Sequence, residues 1–228
     1  MPEDLALLKE ELFDFCLLRQ KDEGGFGATP YLPPTVEDTY FAVEILSLLK
    51  APFPKKETSL FLRKKGRSPL SPRLAYFIKR ALFLLGEKDF KPALRFSSQK
   101  DLEESYYLKL LGQKVPPVNV LPETLTVKEL YFLAFIEPTE ARKFVSLVLD
   151  SQNPDGGFGF YPGSTSYLEN SYYAFFFLKR LRLSPRNPKK LRNFIFSCFR
   201  KGGFARSPQG IPFLESTYQA LQILSSWP

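Results

Sequence analysis

The chain has 228 residues, with 32 basic against 24 acidic side chains for a net charge of +8, 15% aromatic residues, two cysteines and no histidine. That length suits one domain with a sizeable core. The absence of histidine excludes imidazole acid–base chemistry, His-containing triads and any metal site that needs an imidazole ligand.

A first helix is expected over residues 3–20, with Leu5, Leu8, Leu12, Phe13, Cys16 and Leu17 on one stripe, Pro2 ahead of it and Glu3 and Asp4 in its first turn. This acidic start has no signal-peptide pattern. Neither Cys16 nor Cys198, both in apolar helical pattern, suggests a disulfide framework, so a reducing, cytoplasmic setting is expected. Gly24-Gly25 ends the first helix, Pro30, Pro33 and Pro34 keep the following loop extended, and a second helix spans 36–49. Further helices are expected over 57–65, 72–85, 91–96, 102–111, 126–136, 140–150, 169–181, 189–199 and 215–226, with Val115-Pro-Pro-Val118 as a connector. Strand patterns are nearly absent, and the class is all-α. The basic clusters Arg63-Lys64-Lys65, Lys179-Arg180 and Lys189-Lys190 fall at helix ends, where the macrodipole favours cations, and they read as solvated surface, not a nucleic-acid patch. The longest charge-free apolar runs, such as 171–178, are far short of the roughly 20 residues that cross a bilayer. Contact with a membrane is therefore at most peripheral. The Lys and Glu content, with one Met, has the composition of a heat-adapted protein.

One pattern recurs three times. Gly24-Gly-Phe26 leads to Glu37-Asp-Thr-Tyr40, Gly156-Gly-Phe158 to Glu169-Asn-Ser-Tyr172, and Gly202-Gly-Phe204 to Glu215-Ser-Thr-Tyr218; each first Gly lies 16 before its Tyr and 13 before its Glu. A fixed internal spacing of this kind marks a repeat architecture. Leu102-Glu-Glu-Ser-Tyr-Tyr107 keeps the second half of the pattern, and Arg73-Leu-Ala-Tyr-Phe77 and Glu129-Leu-Tyr-Phe132 are more worn copies. The whole chain, 1–228, then reads as one domain of about five to six helix pairs closing into a ring. Gln20 and Gln152, ahead of two of the turns, are placed to bond free backbone groups at the helix end. Counted from the Tyr of each second helix, +2, +5, +6 and +9 are apolar in every clear copy (Ala42, Ile45, Leu46, Leu49; Ala174, Phe177, Leu178, Leu181; Ala220, Ile223, Leu224, Trp227), a stripe for packing on an outer helix. The opposite face carries the Glu, the Tyr and, at +4, Glu44, Phe176 or Gln222.

These motifs resemble the repeats of the protein prenyltransferase β subunits and of the squalene and terpene cyclases. Residues 152–181 look very like one such repeat, and Gln20-x-x-x-Gly24-x-Phe26 matches the Gln-x-x-x-Gly-x-aromatic motif of the cyclases. The resemblance implies an α/α toroid whose inner helices surround an aromatic-lined funnel that holds polyisoprenoid chains. The mixed polar and aromatic face of the second helices is expected to line such a cavity, with Tyr40, Glu44, Tyr106, Glu169, Tyr172, Phe176, Glu215, Tyr218 and Gln222. The zinc of family prenyltransferases needs Asp, Cys and His, so no zinc, other metal or cofactor is expected here. The cyclases protonate the isoprenoid with the middle Asp of an Asp-x-Asp-Asp motif. Here Thr35-Val-Glu37-Asp38 holds that place, with Glu37 and Asp38 as candidate acids and Thr35 replacing the first Asp. Because Glu169 and Glu215 share the repeat position of Glu37, that Glu is first a repeat residue; Asp38 is the more distinctive. Three readings follow: a toroid binding an isoprenoid or other apolar ligand, a non-catalytic toroid that binds a protein partner as β subunits bind an α subunit, and a metal-free cyclase. The first requires a continuous apolar funnel, the second a filled centre with an exposed apolar patch, and the third Asp38 deep inside the funnel.

Overall fold

The structure is a computed structural model that describes residues 3–97, 101–115 and 125–227. Pro2 and residues 116–118 of the expected connector lie outside the described residues. Six helices form a closed ring: α3 (Val36–Leu48), α5 (Pro72–Leu84), α6 (Leu102–Leu110), α7 (Val127–Ile136), α10 (Leu168–Arg180) and α12 (Leu214–Ser225). Each packs on the next in this order, and α12 packs back on α3. Outside them run α1 (Glu3–Leu7) with α2 (Lys9–Leu17), α4 (Lys55–Lys65), α8 (Pro138–Ala141) with α9 (Val145–Asp150), and α11 (Pro188–Ser197). The fold is an α/α toroid. Its one sheet among the described residues is the two-residue ladder of β1 (Phe199–Arg200) and β2 (Gly203–Phe204) at the third Gly-Gly turn.

The outer layer is thinner than the repeat count implies. Among the described residues four of the six inner helices have an outer helix ahead of them; before α6 and α7 the described chain is irregular. The helix expected over 91–96 is absent. Pro92 lacks a donor N–H, and the strand-like segment instead bonds to the loop before α5, with Leu70 N–H donating to Ala93 O at 2.9 Å and Arg95 N–H to Leu70 O at 2.7 Å. The helix expected over 3–20 breaks at Leu8, and the one expected over 140–150 is interrupted by a 3-10 turn at Arg142–Phe144.

The apolar stripe packs as its period requires: its Ala, Ile, Leu and Phe members are all buried, and Trp227 stacks on Phe175 with ring centroids 5.5 Å apart. The turns explain why Gly-Gly-Phe recurs. Gly24, Gly156 and Gly202 have φ of +90°, +95° and +79°, which L side chains rarely adopt. A Cβ on them would strike the backbone of the next outer helix, at Glu57 of α4, Lys190 of α11 and Glu11 of α2 respectively. The second glycines, Gly25, Gly157 and Gly203, lie against the rings of Phe61, Phe194 and Phe15 on the same three helices. The third turn therefore docks on the first outer helix, and the ring closes through the same contact that joins its neighbours. Gln152 bonds backbone as expected, but of the turn and the next outer helix: its Nε2 donates to Gly156 O (3.0 Å) and Asn187 O (3.2 Å), and its Oε1 accepts from Asn187 N–H (3.0 Å).

The Phe that follows is held by a hydroxyl. Thr39, Ser171 and Thr217, the residues just before the repeat tyrosines, accept from the buried N–H of Phe26, Phe158 and Phe204 at 2.9, 3.0 and 2.9 Å. Each also donates to the carbonyl four residues back, tying turn to inner helix. Ser105 holds the same position on α6, where no Gly-Gly-Phe turn precedes it, and its buried Oγ has no partner. Removing one of the three working hydroxyls leaves a buried donor unsatisfied, which costs about 1–3 kcal/mol. Thr217→Val and Ser171→Ala should each lower chemical-denaturation stability by that amount, whereas Ser105→Ala should change it by less than about 0.5 kcal/mol. Equal effects at Ser171 and Ser105 would refute the lock.

Candidate functional site

The six inner helices bring their first turns to one end of the ring, and there they enclose a cavity of about 280 Å³. Its floor is a ring of tyrosines, one per helix: Tyr40, Tyr76, Tyr106, Tyr131, Tyr172 and Tyr218. One position on, Phe41, Phe77, Tyr107, Phe132 and Tyr173 complete the aromatic wall, with Gln219 on α12. Three positions back, Arg73, Glu103, Lys128, Glu169 and Glu215 form the mouth. These positions, −3, 0 and +1, are an i, i+3, i+4 face, the stripe a helix presents to one side.

The floor is tied together by hydroxyls. Tyr40 and Tyr218 approach at 3.4 Å and Tyr106 and Tyr131 at 2.7 Å, while the Tyr172 ring sits between those of Tyr131 and Tyr218, with centroids 5.9 and 6.1 Å away. Tyr40 also stacks on Phe77 with centroids 4.1 Å apart. Burial raises the pKa of all six tyrosines, that of Tyr172 to about 12, so every hydroxyl stays protonated and can donate in turn. Beneath the floor the buried Glu44 carboxylate accepts from Arg80 Nε at 2.8 Å.

Of the residues expected at the cavity, Tyr40, Tyr106, Glu169, Tyr172, Glu215 and Tyr218 line it. Glu44, Phe176 and Gln222 do not, because +4 lies a full turn below the tyrosines: Glu44 is taken by Arg80, and Phe176 packs on Tyr172 at 4.8 Å. Glu37 and Asp38 are half-buried and lie outside the cavity lining. Asp38 is turned to the start of α3, where its carboxylate accepts from Thr35 Oγ1 at 2.7 Å and its N–H donates to the same oxygen at 3.0 Å. Burial raises its pKa, and the Thr35 bond opposes that shift. Arg73, Lys128, Glu103, Tyr76, Tyr131 and the +1 ring were not among the expected cavity residues. Extending the tyrosine register through the worn copies would have found them, since it puts Arg73, Glu103 and Lys128 at −3.

At the mouth Glu103 faces both cations, Arg73 at 3.7 Å and Lys128 at 3.2 Å, and Glu169 faces Arg206 at 3.4 Å. Lys128 also lies over Phe132 and Tyr173, and Arg73 over Phe77. A cleft of about 440 Å³ between α5 and α6 shares Arg73, Glu103 and Tyr107 with the cavity and widens it sideways. Among the described residues no group of three or more His, Cys, Asp or Glu is placed to hold a metal ion, and no helix is long and apolar enough to cross a membrane.

Glu215 has a raised pKa, chiefly from burial and against the pull of Arg73. A carboxyl raised on folding adds stability below its ordinary value of 4.5 and loses it as pH climbs through the folded value. Near neutral pH the charged form is therefore a cost. Glu215→Gln should melt higher than the parent near neutrality, by on the order of a degree or two, and the gain should close by about pH 4 in a calorimetric pH series.

The sequence model of the prenyltransferase alpha-alpha toroid domain matches residues 3–70, 124–185 and 171–227, leaving the worn stretch from α5 through α6 unmatched. No curated protein matches the chain.

Proposed function

Because the chain belongs to the prenyltransferase alpha-alpha toroid domain family, we propose that its ring is a ligand-binding frame whose funnel is closed part-way by the tyrosine floor, so that it takes a compact ligand in the basin above and not a long isoprenoid. The observation that carries this reading is the hydroxyl-linked floor, above which about 280 Å³ remains, just below the range of about 300–1,000 Å³ usual for sites of drug-sized ligands. The aromatic wall supports an apolar body on the ligand, as the isoprenoid expectation did, but the charged mouth supports a polar head. Three lining glutamates against Arg73 and Lys128 disfavour a diphosphate head. Acid-initiated cyclisation draws no support from Asp38, which is turned away toward Thr35.

Ligand-observed NMR with a mixed set of neutral, anionic, cationic and zwitterionic fragments tests the reading. Compact fragments should bind and be displaced in Glu169→Trp, which fills the mouth, while native mass spectrometry should show no retained farnesyl or geranylgeranyl diphosphate. Tight one-to-one binding of either prenyl diphosphate would overturn it.

A second reading has its own observation. The three equivalent loops that lead from the turns to α3, α10 and α12 expose Tyr31 (95%), Tyr161 (60%) and Ile211 (70%), with Leu32 and Phe213 beside them, all at the end where the cavity opens. An apolar rim of this kind supports a partner subunit seated over the mouth. A complex isolated with the native chain should then be lost on joint Tyr31→Ser and Ile211→Ser substitution, with the melting temperature of the free chain unchanged.

A further inference from the structure

The order of helices around the ring sorts the charges of the basin. On α5, α6 and α7 the mouth carries Arg73, Glu103 and Lys128, with Glu103 between the two cations, so this side is positive by one charge. On α10 and α12 it carries Glu169 and Glu215, and this side is negative. Glu169 has Arg206 at 3.4 Å, but among the described residues no cation lies within ion-pairing distance of Glu215. The hollow is therefore dipolar across its width.

Two polar atoms in its wall lack hydrogen bonds. Gln219, one turn beyond Glu215 on α12 and only 3% exposed, has no hydrogen bond to its Oε1. Across the mouth the half-buried Arg73 has no hydrogen bond at its Nε, whose ion-pair partner Glu103 Oε1 stands 3.7 Å away. Buried polar groups in folded proteins are nearly always hydrogen-bonded, so an acceptor without a hydrogen bond on the negative side and a donor without one on the positive side of one cavity suit complementary groups on one ligand.

Resting on the reading of the basin as a ligand site, we propose that it recognises a zwitterion of the α-amino-acid type, with the carboxylate on Arg73, the ammonium on Glu215 and Gln219, and an apolar side chain against the tyrosine floor. A purely apolar ligand would leave both atoms without a hydrogen bond in a drier site. A simple amine would satisfy the α12 side and leave Arg73 Nε with no acceptor nearer than Glu103 at 3.7 Å. A carboxylic acid would satisfy Arg73 and bring its oxygens toward Glu215 with no donor to offer. The aromatic wall gives the side chain a surface on which size and shape count more than polarity.

Titration calorimetry with L-leucine, N-acetyl-L-leucine and L-leucinamide separates the two charges. L-Leucine should bind, and each derivative, lacking one charge, should bind at least about ten-fold more weakly, a difference of about 1.4 kcal/mol. Gln219→Leu and Arg73→Met should each weaken L-leucine by a similar factor while the chain melts within a few degrees of the parent. Either derivative binding as well as L-leucine, or L-leucine binding unchanged in both variants, would overturn the assignment. Fragments of other charge types binding in the basin while L-leucine does not would sink the zwitterion and leave the ligand site standing. No binding by any fragment would remove both.

Discussion

The toroid rests on the absence of three Cβ atoms. Gly24, Gly156 and Gly202 are pressed against the backbone of the helix that follows in the outer layer, at a distance that admits no side chain. This close approach fixes how far each repeat is displaced from the next, and the Phe packed behind it fixes the tilt. The same contact, made by the third turn on α2, turns an open stack of repeats into a ring. Everything that depends on six inner helices meeting at a common axis, including the tyrosine floor, follows from that spacing.

Where the turn is missing, the architecture changes in kind. Ahead of α6 there is no Gly-Gly-Phe and, among the described residues, no outer helix, and Ser105 Oγ remains at the locking position without a hydrogen-bond partner. The inner layer nevertheless persists through α5, α6 and α7, where aromatic packing joins neighbouring helices: Tyr106 alone meets the rings of Tyr107 on its own helix and of Tyr131, Phe132 and Phe135 on α7. At α6 the inner layer therefore stands on side-chain burial without the turn-to-hydroxyl lock. The cleft beside the basin opens where the outer layer has thinned.

This division also explains what could be read in the sequence. The ring, the outer–inner alternation and the buried stripe were legible because glycine turns and small hydroxyl residues leave a fixed spacing, 16 residues from Gly to Tyr in each clear copy. The short segment around Leu94 reads locally as helix because its pairing with Leu70 is a tertiary contact with no local pattern. The cavity was half legible. Its tyrosines follow the repeat, but how far down the helices the hollow extends depends on whether hydroxyls of neighbouring helices meet, which no single repeat encodes. Hence Glu44, Phe176 and Gln222 fall below the floor, and Arg73 and Lys128 enter the mouth from copies too worn to display a motif. Asp38 was distinctive in sequence for a local reason, its reciprocal bonding with Thr35 at the start of α3.

Closure through α2 has a temporal consequence. The surface of α2 that receives Gly202 and Gly203, and the flank of α3 that receives α12, are completed by residues encoded nearly two hundred positions later. On a ribosome the early repeats must wait with those apolar flanks uncovered until the last inner helix has emerged, and pairings this distant in sequence are slow to find. Synthesis order thus makes the first repeat both the earliest to form and the last to be sealed, and the interval between the two is when the nascent chain most needs shielding from its neighbours.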